Sequence, residues 1–161
     1  MTFYLKNNRI KLNIGCGNDY REEWINIDIS DNFNPDLCFD VRNTPWKWKH
    51  QSIDYIRADN LFEHFNSDEL INVMAECWRV LKYGGILWVR VPYLAFPITQ
   101  ENMLSVFRDP THKKIFTKET FDYWNKENPR YLKYGKLYGC KPFEIIRQVV
   151  DDNFLIIELK K

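Results

Sequence analysis

Gly15 and Gly17 stand one residue apart at the end of a short apolar run, Leu12-Asn13-Ile14-Gly15-Cys16-Gly17. Eleven residues beyond Gly17, Asp28 closes a second such run, Trp24-Ile25-Asn26-Ile27-Asp28. Strand, glycine turn, strand and terminal carboxylate are the parts that hold a nucleotide-like cofactor at the carboxyl edge of a parallel sheet. Glycines there let the backbone turn sharply and approach a ligand closely, because no Cβ intervenes. The Asp28 carboxylate can accept hydrogen bonds from both hydroxyls of a ribose. A G-x-G pair alone is a weak signal, and its weight comes from the rest of the chain.

Two histidines could handle protons. His112 ends Asp109-Pro110-Thr111-His112, in a segment, 92–117, that holds Pro92, Pro97 and Pro110 and shows no regular pattern. A loop of that kind over the carboxyl edge closes a site. Neutral imidazole accepts a proton from a hydroxyl near pH 7, and Asp109 could orient the ring. The plainer alternative is a packed loop in which Asp109 and His112 bond to backbone. His64 follows Glu63, with Asn60 just upstream. It reads either as a second base near the reacting group or as a residue that orients its own loop. Asn60 lies just past a strand, at the edge of the sheet where ligands bind. His50 precedes that strand and reads as surface.

The elements that must position these residues follow from pattern. Apolar, β-branched and aromatic runs predict strands over 11–14, 25–28, 37–40, 53–58 and 86–91, the last stopped by Pro92. Leu70, Ile71, Met74, Cys77, Trp78 and Leu81 recur at helical spacing and predict a helix over 68–82, with Ser67 as N-cap, Lys82 in the last turn and Gly84 as the stop. A shorter helix is predicted over 118–126 behind Thr117. Residues 143–150 and 154–159 flank Asp151-Asp152-Asn153 as a hairpin. Only six residues separate Gly17 from Trp24, and twelve separate Asp40 from Ile53, with Pro45 among them. A parallel crossover usually takes a dozen or more residues and a full helix. Both crossovers are therefore expected to be cut down to a helical turn at most.

At 161 residues the chain is expected to fold as one domain, 1–161, around one core. Its net charge is +1, from 23 basic and 22 acidic side chains, which argues against a dedicated nucleic-acid binder. Lys113, Lys114 and Lys118 read as solvated lysines. Aromatic content is 16%, enough to fill a small core and to leave rings for a cleft. Cys16, Cys38, Cys77 and Cys140 form no C-x-x-C pair, and Cys38 and Cys77 read as buried free thiols. Residues 1–6 carry no sustained apolar core, and no run reaches the length of a membrane span. A cytoplasmic protein away from membranes is the expectation.

Taken together these pieces resemble the class I S-adenosylmethionine-dependent methyltransferases over nearly the whole chain. Leu12–Gly17 is similar to the glycine motif of that superfamily and Asp28 to its ribose-binding acid. Asp40-Val41 stands where its adenine-binding acid and neighbour occur. Asp54-Tyr55-Ile56 with Asn60-Leu61-Phe62-Glu63-His64 resembles the fourth-strand motif. Arg79-Val80-Leu81-Lys82-Tyr83-Gly84-Gly85 resembles the R-V-L-K-P-G-G turn, with Tyr83 for proline. Among its members the chain is most similar to small proteins with a D-P-x-H segment after the fifth strand. The resemblance implies a trimmed Rossmann-like fold: an α/β domain whose mostly parallel sheet ends in an antiparallel hairpin, with abbreviated first crossovers. It implies S-adenosylmethionine as cofactor, held by Asn13, Gly15, Cys16, Gly17, Asp28, Ile29, Asp40, Val41, Asn60 and Leu61. His112 and His64 are the catalytic candidates. A Glu-His pair like Glu63-His64 holds a metal in some related quinone-type O-methyltransferases, but no metal is assigned here.

Two departures bear on function. Asp19 replaces the third glycine of G-x-G-x-G, and the first helix is missing. A sulfonium cofactor tolerates that loss, since it has no pyrophosphate that needs a helix N-terminus. The short gap from glycines to acid also argues against a nicotinamide enzyme, whose acid falls about 20 residues on. The expected reaction is methyl transfer to an O or N nucleophile of a small-molecule or glycan-like acceptor. Its specificity is expected in loop 92–117 with Tyr93, Phe96, Phe107 and Trp124. The competing reading is a noncatalytic or partner-dependent S-adenosylmethionine-binding module.

Overall fold

The sheet has seven strands: β1 (Lys11–Ile14), β2 (Ile25–Asp28), β3 (Leu37–Cys38), β4 (Ile53–Asp59), β5 (Leu81–Pro92), β6 (Glu144–Asp151) and β7 (Phe154–Lys160). They lie in the order β3-β2-β1-β4-β5-β7-β6 in a computed structural model that describes residues 9–161. Residues 1–8, on which the reading of the N-terminus rests, lie outside the described residues. The strands β1–β5 pair in parallel, and the hairpin β6–β7 adds antiparallel to β5. The strand order reverses between β1 and β4, which opens a crevice at their carboxyl ends.

The helix α1 (Ser67–Val80) links β4 to β5. Asn66, not Ser67, caps it: the Asn66 carboxamide oxygen accepts from Glu69 N at 2.9 Å, and Glu69 accepts from Asn66 N at 2.8 Å. The apolar stripe of Leu70, Val73, Met74, Cys77 and Val80 is fully buried against Leu12, Ile14, Ile56, Leu87 and Val89. Burying each such side chain contributes about 1.5–3 kcal/mol before entropy is counted. The helix ends two residues before the expected position, because Leu81 is already extended and starts β5. Lys82 is therefore a strand residue, paired with Asp54 at 2.8 Å. Gly84, at φ +77°, does not stop the helix but bends the chain where Gly84 N donates to the Lys161 carbonyl.

No helix forms between Gly17 and Trp24. The turn is stitched by a buried amide pair instead. Asn13 Nδ2 donates to the Asp19 carbonyl at 2.7 Å and to Asn26 Oδ1 at 3.1 Å. Asn26 also accepts from Arg21 N and donates to the Arg21 carbonyl, both at 2.9 Å. The second short crossover packs Trp46 under α1, where Trp46 N donates to Glu76 at 2.5 Å and its indole N–H donates to the Val41 carbonyl at 2.8 Å.

Right-handed connections that run in opposite directions along a sheet fall on opposite faces. The connections β1→β2 and β2→β3 run the opposite way along the sheet from β4→β5, so the trimmed turn after Gly17 is the one that would have covered the face away from α1, whereas the short β3–β4 crossover lies on the face of α1, where Trp46 packs. The face away from α1 carries an in-register row, Asn26, Asn13, Arg57, Trp88, Glu158 and Arg147. Arg57 stacks on Trp88 at 3.9 Å and pairs with Asp59 and with Asp19, and Arg147 pairs with Glu158 at 3.2 Å. A sheet face without a helix stays compatible with water because its charges are matched on the face itself. Asp19, the substitute for the third glycine, is part of that matching.

Other expectations need correction. The segment 92–117 is not wholly irregular: α2 (Gln100–Phe107) forms there, capped by Thr99. The helix expected over 118–126 is a 3₁₀ stretch, Lys118–Tyr123. Strand β3 stops at Cys38, short of Asp40. Cys38 is exposed, while Cys16, Cys77 and Cys140 are buried. Cys38 lies on the outermost strand, whose far side pairs with no strand among the described residues. Among the described residues no helix is long and apolar enough to cross a membrane.

Candidate active site

Two clefts open at the carboxyl edge. One, of about 500 Å³, is lined by Gly15, Asp28, Ile29, Asp40, Val41 and Leu61 among others. The second, of about 780 Å³, is lined by Asn60, Glu63, Leu104, Arg108, Asp109 and His112 among others. His64 lines both. The segment after α2 forms part of the shared wall: Thr111 and Lys113 face the first cleft, Asp109 and His112 the second.

The first cleft brings together six of the ten residues assigned to the cofactor. Gly15 sits at φ +64°, and a Cβ there would stand 2.7 Å from Leu61 Cδ1, so any larger residue is strained and must displace the Leu61 side chain. Asp28, nearly buried, accepts from Gly17 N and Ser30 N, each at 2.9 Å. Two bonds leave acceptor capacity on both oxygens, since a carboxylate offers about four lone-pair sites. The same carboxylate therefore shapes the glycine turn and presents itself to a ligand. Ile29 is 61% exposed beside it and supplies an apolar surface. Asp40 is held by Arg42, whose hydrogen bond and charge keep its carboxyl below the ordinary range, and Arg42 reaches on to Glu69 at 3.1 Å.

The other four lie elsewhere. Asn13 supports the turn from within, its amide taken up by Asp19 and Asn26. Cys16 contributes its backbone N–H to the Ile27 carbonyl at 2.9 Å, and burial pushes its thiol up to about 11. Gly17 contributes its N–H to Asp28. Asn60, at φ +50°, lines the second cleft instead. Strand alternation explains Asn13: its neighbours Leu12 and Ile14 face the core, so it faces the other way.

In the second cleft stands Glu63, which the sequence analysis named only as the partner of His64 and gave no role. It is 1% exposed, and among the described residues neither carboxylate oxygen has a hydrogen-bond partner. Burial pushes its carboxyl up to about 8. The only sequence signal was its place beside His64, in a short 3₁₀ turn, Phe62–His64, that turns it inward. His112 Nδ1 lies 2.7 Å from the Val106 carbonyl, and its Nε2 faces Glu63 at 4.0 Å. A carbonyl only accepts, so Nδ1 carries a proton, and in the neutral ring Nε2 then holds the free lone pair. Burial, with His112 close by, lowers the pKa of His64 and favours its neutral form. His50 is exposed and in neither cleft.

The comparisons fit this geometry. A family model described as a methyltransferase domain matches residues 9–89, just over half of the chain. No curated protein matches it by sequence. A SAM dependent methyltransferase from Archaeoglobus fulgidus is similar in structure, with a TM-score of 0.66 and 17% identity over 98% of this chain and 88% of that one. An S-adenosylmethionine-dependent methyltransferase from Clostridium acetobutylicum gives a TM-score of 0.63 and 14% identity over 95% and 84%. The matched region runs from β1 into β5 and so contains the glycine turn, Asp28 and the Glu63-His64 turn. The chain belongs to the methyltransferase domain family, enzymes that use S-adenosylmethionine.

Proposed function

We propose that the chain transfers a methyl group from S-adenosylmethionine to an O or N nucleophile of a small-molecule or glycan-like acceptor seated in the second cleft. The observation that carries the reading is His64: one ring borders both clefts, so the cofactor and the acceptor meet across it. S-adenosylmethionine supplies an electrophilic methyl on a sulfonium, and the protein's part is alignment and proton handling. Asp28 accepts the ribose hydroxyls, Ile29 and Val41 flank the adenine, and the glycine turn leaves room for the amino-acid end. Asp40 borders the same space but is engaged with Arg42, so its contact is with the edge of the base. Asn60 reaches the reacting end from the acceptor side. His112 and His64 act on the acceptor, each offering a neutral imidazole nitrogen that can take a proton or a ligand bond. The nucleophile's electron pair forms the bond to the methyl carbon, the C–S pair stays on sulfur, and the nucleophile's proton leaves through the site.

The polar lining of the second cleft, with Glu63, Asp109, Arg108 and Asn60, supports a hydroxylated or amino acceptor. Calorimetry with S-adenosylmethionine, followed by a screen of acceptors with labelled cofactor, tests the reading. Tight cofactor binding with no acceptor in any class favours instead a binding module that needs a partner.

A further inference from the structure

The methyl-transfer reading uses His64 and His112 but leaves Glu63 without a role, and the three stand together. One ligand-type atom from each lies within 4.8 Å of the others. A buried carboxyl group with no hydrogen bond is costly whether it is ionised or protonated. Both oxygens of Glu63 are in that state among the described residues, so something outside the protein is expected to satisfy them.

The imidazoles are already prepared for the same occupant. His112 donates from Nδ1 to the Val106 carbonyl, so the neutral ring turns the lone pair of Nε2 toward Glu63. His64 Nδ1 meets Thr111 Oγ1 at 2.9 Å, and that hydroxyl already donates to Asp109 Oδ1 at 2.6 Å. Thr111 can then only accept, so His64 Nδ1 carries its proton and Nε2 is free. An imidazole whose far N–H is fixed by a carbonyl or by a hydroxyl tied to a carboxylate is how proteins orient a metal ligand. Asp109 also stands 4.0 Å from His112 Nε2 and adds negative charge.

We propose that Glu63, His64 and His112 are a two-histidine, one-carboxylate site for a first-row divalent transition cation, whose remaining positions hold an oxygen of the acceptor. Ligand atoms sit about 2.0–2.2 Å from such a cation, so the three donors draw together by about 1–2 Å when it binds. Two imidazoles and a carboxylate on one side leave open positions on the other, and here that side is the acceptor cleft. A cation there lowers the pKa of a bound hydroxyl, whose proton passes to water. The cation is unchanged in charge at the end of the cycle. The acceptor half of the proposal rests on the methyl-transfer reading; the metal half does not.

The test loads chelator-treated protein with Co²⁺ and follows visible absorption, with calorimetry for Zn²⁺ and for S-adenosylmethionine in parallel. One equivalent of Co²⁺ should bind, and Glu63→Gln and His112→Ala should each weaken it at least about 100-fold while S-adenosylmethionine affinity changes less than about threefold. Acetohydroxamate, a small oxygen chelator, should shift the Co²⁺ spectrum of the wild type. No stoichiometric binding of Co²⁺ or Zn²⁺, or binding unchanged in both variants, overturns the site. Binding with no response to acetohydroxamate overturns the acceptor role. Failure to bind S-adenosylmethionine with Co²⁺ still bound supports the metal site and removes the methyl-transfer reading.

Discussion

The rings of His64 and His112 meet edge to face with centroids 5.0 Å apart, although they come from different loops. His64 follows β4, and His112 follows α2. Lys113 N and Lys114 N both donate to the Glu63 carbonyl, at 2.8 and 3.1 Å, and so pin the second loop against the first. This junction is where the first cleft ends and the second begins.

His112→Ala should separate the two clefts functionally. His112 lines only the acceptor cleft, so S-adenosylmethionine affinity should stay within about threefold of wild type. Turnover should fall roughly 10²–10⁴-fold, the range for losing a group that promotes removal of the acceptor's proton, whether as base or as metal ligand. Calorimetry and a labelled-methyl assay give the two numbers. A turnover loss under tenfold would demote His112 to loop packing.

Asp28→Ala should weaken S-adenosylmethionine by about 1.5–3 kcal/mol, the effect of deleting hydrogen bonds to a charged group. It should also lower thermal stability, because Gly17 N and Ser30 N lose their acceptor. Gly15→Val should abolish cofactor binding outright, since its Cβ would collide with Leu61 at a backbone angle that valine resists. Full affinity in both variants, with folded spectra, would remove the cofactor from this cleft.

Asn26→Leu should destabilise the fold by about 2–4 kcal/mol. Asn26 is fully buried, and its loss strands Arg21 N and takes one hydrogen bond each from Asn13 Nδ2, the Arg21 carbonyl and Asp36. Urea titration followed by circular dichroism measures this. A change below about 0.5 kcal/mol would show that the shortened crossover does not depend on its amide pair.

Acid should cost stability through Arg42. Its guanidinium lowers the carboxyl of Asp40, and the Asn66 N–H and Arg42 lower that of Glu69. Groups whose folded pKa is depressed contribute stability above their unfolded pKa, near pH 4, and lose it as pH falls through the lower folded value. Arg42→Ala should therefore lower the urea midpoint at pH 7 more than at pH 2.5, and added salt should shrink the difference. An equal loss at both pH values would assign the effect to packing.

How far the sequence reaches is clearest at Asp28 and Glu63. Glycine turn, strand-end acid, parallel order, missing first helix and C-terminal hairpin were all set by local signals. Period-two and helical patterns, positive-φ glycines and a gap too short for a helix act within a few residues, so they are written along the chain. Asp28 belongs to that class. The start and end of α1 were legible only to within two residues, because Asn66 and Ser67 are both good caps and the β5 pairing claims Leu81 and Lys82 from the helix. The exposure of Cys38 depended on which strand became the edge. Glu63 shows the remainder. Whether a carboxylate between a phenylalanine and a histidine faces water or a buried cleft depends on α2 and the loop behind it, which return to β4 from far along the chain. Only that packing buries Glu63, fixes the proton on each imidazole and turns two separate histidines into one site.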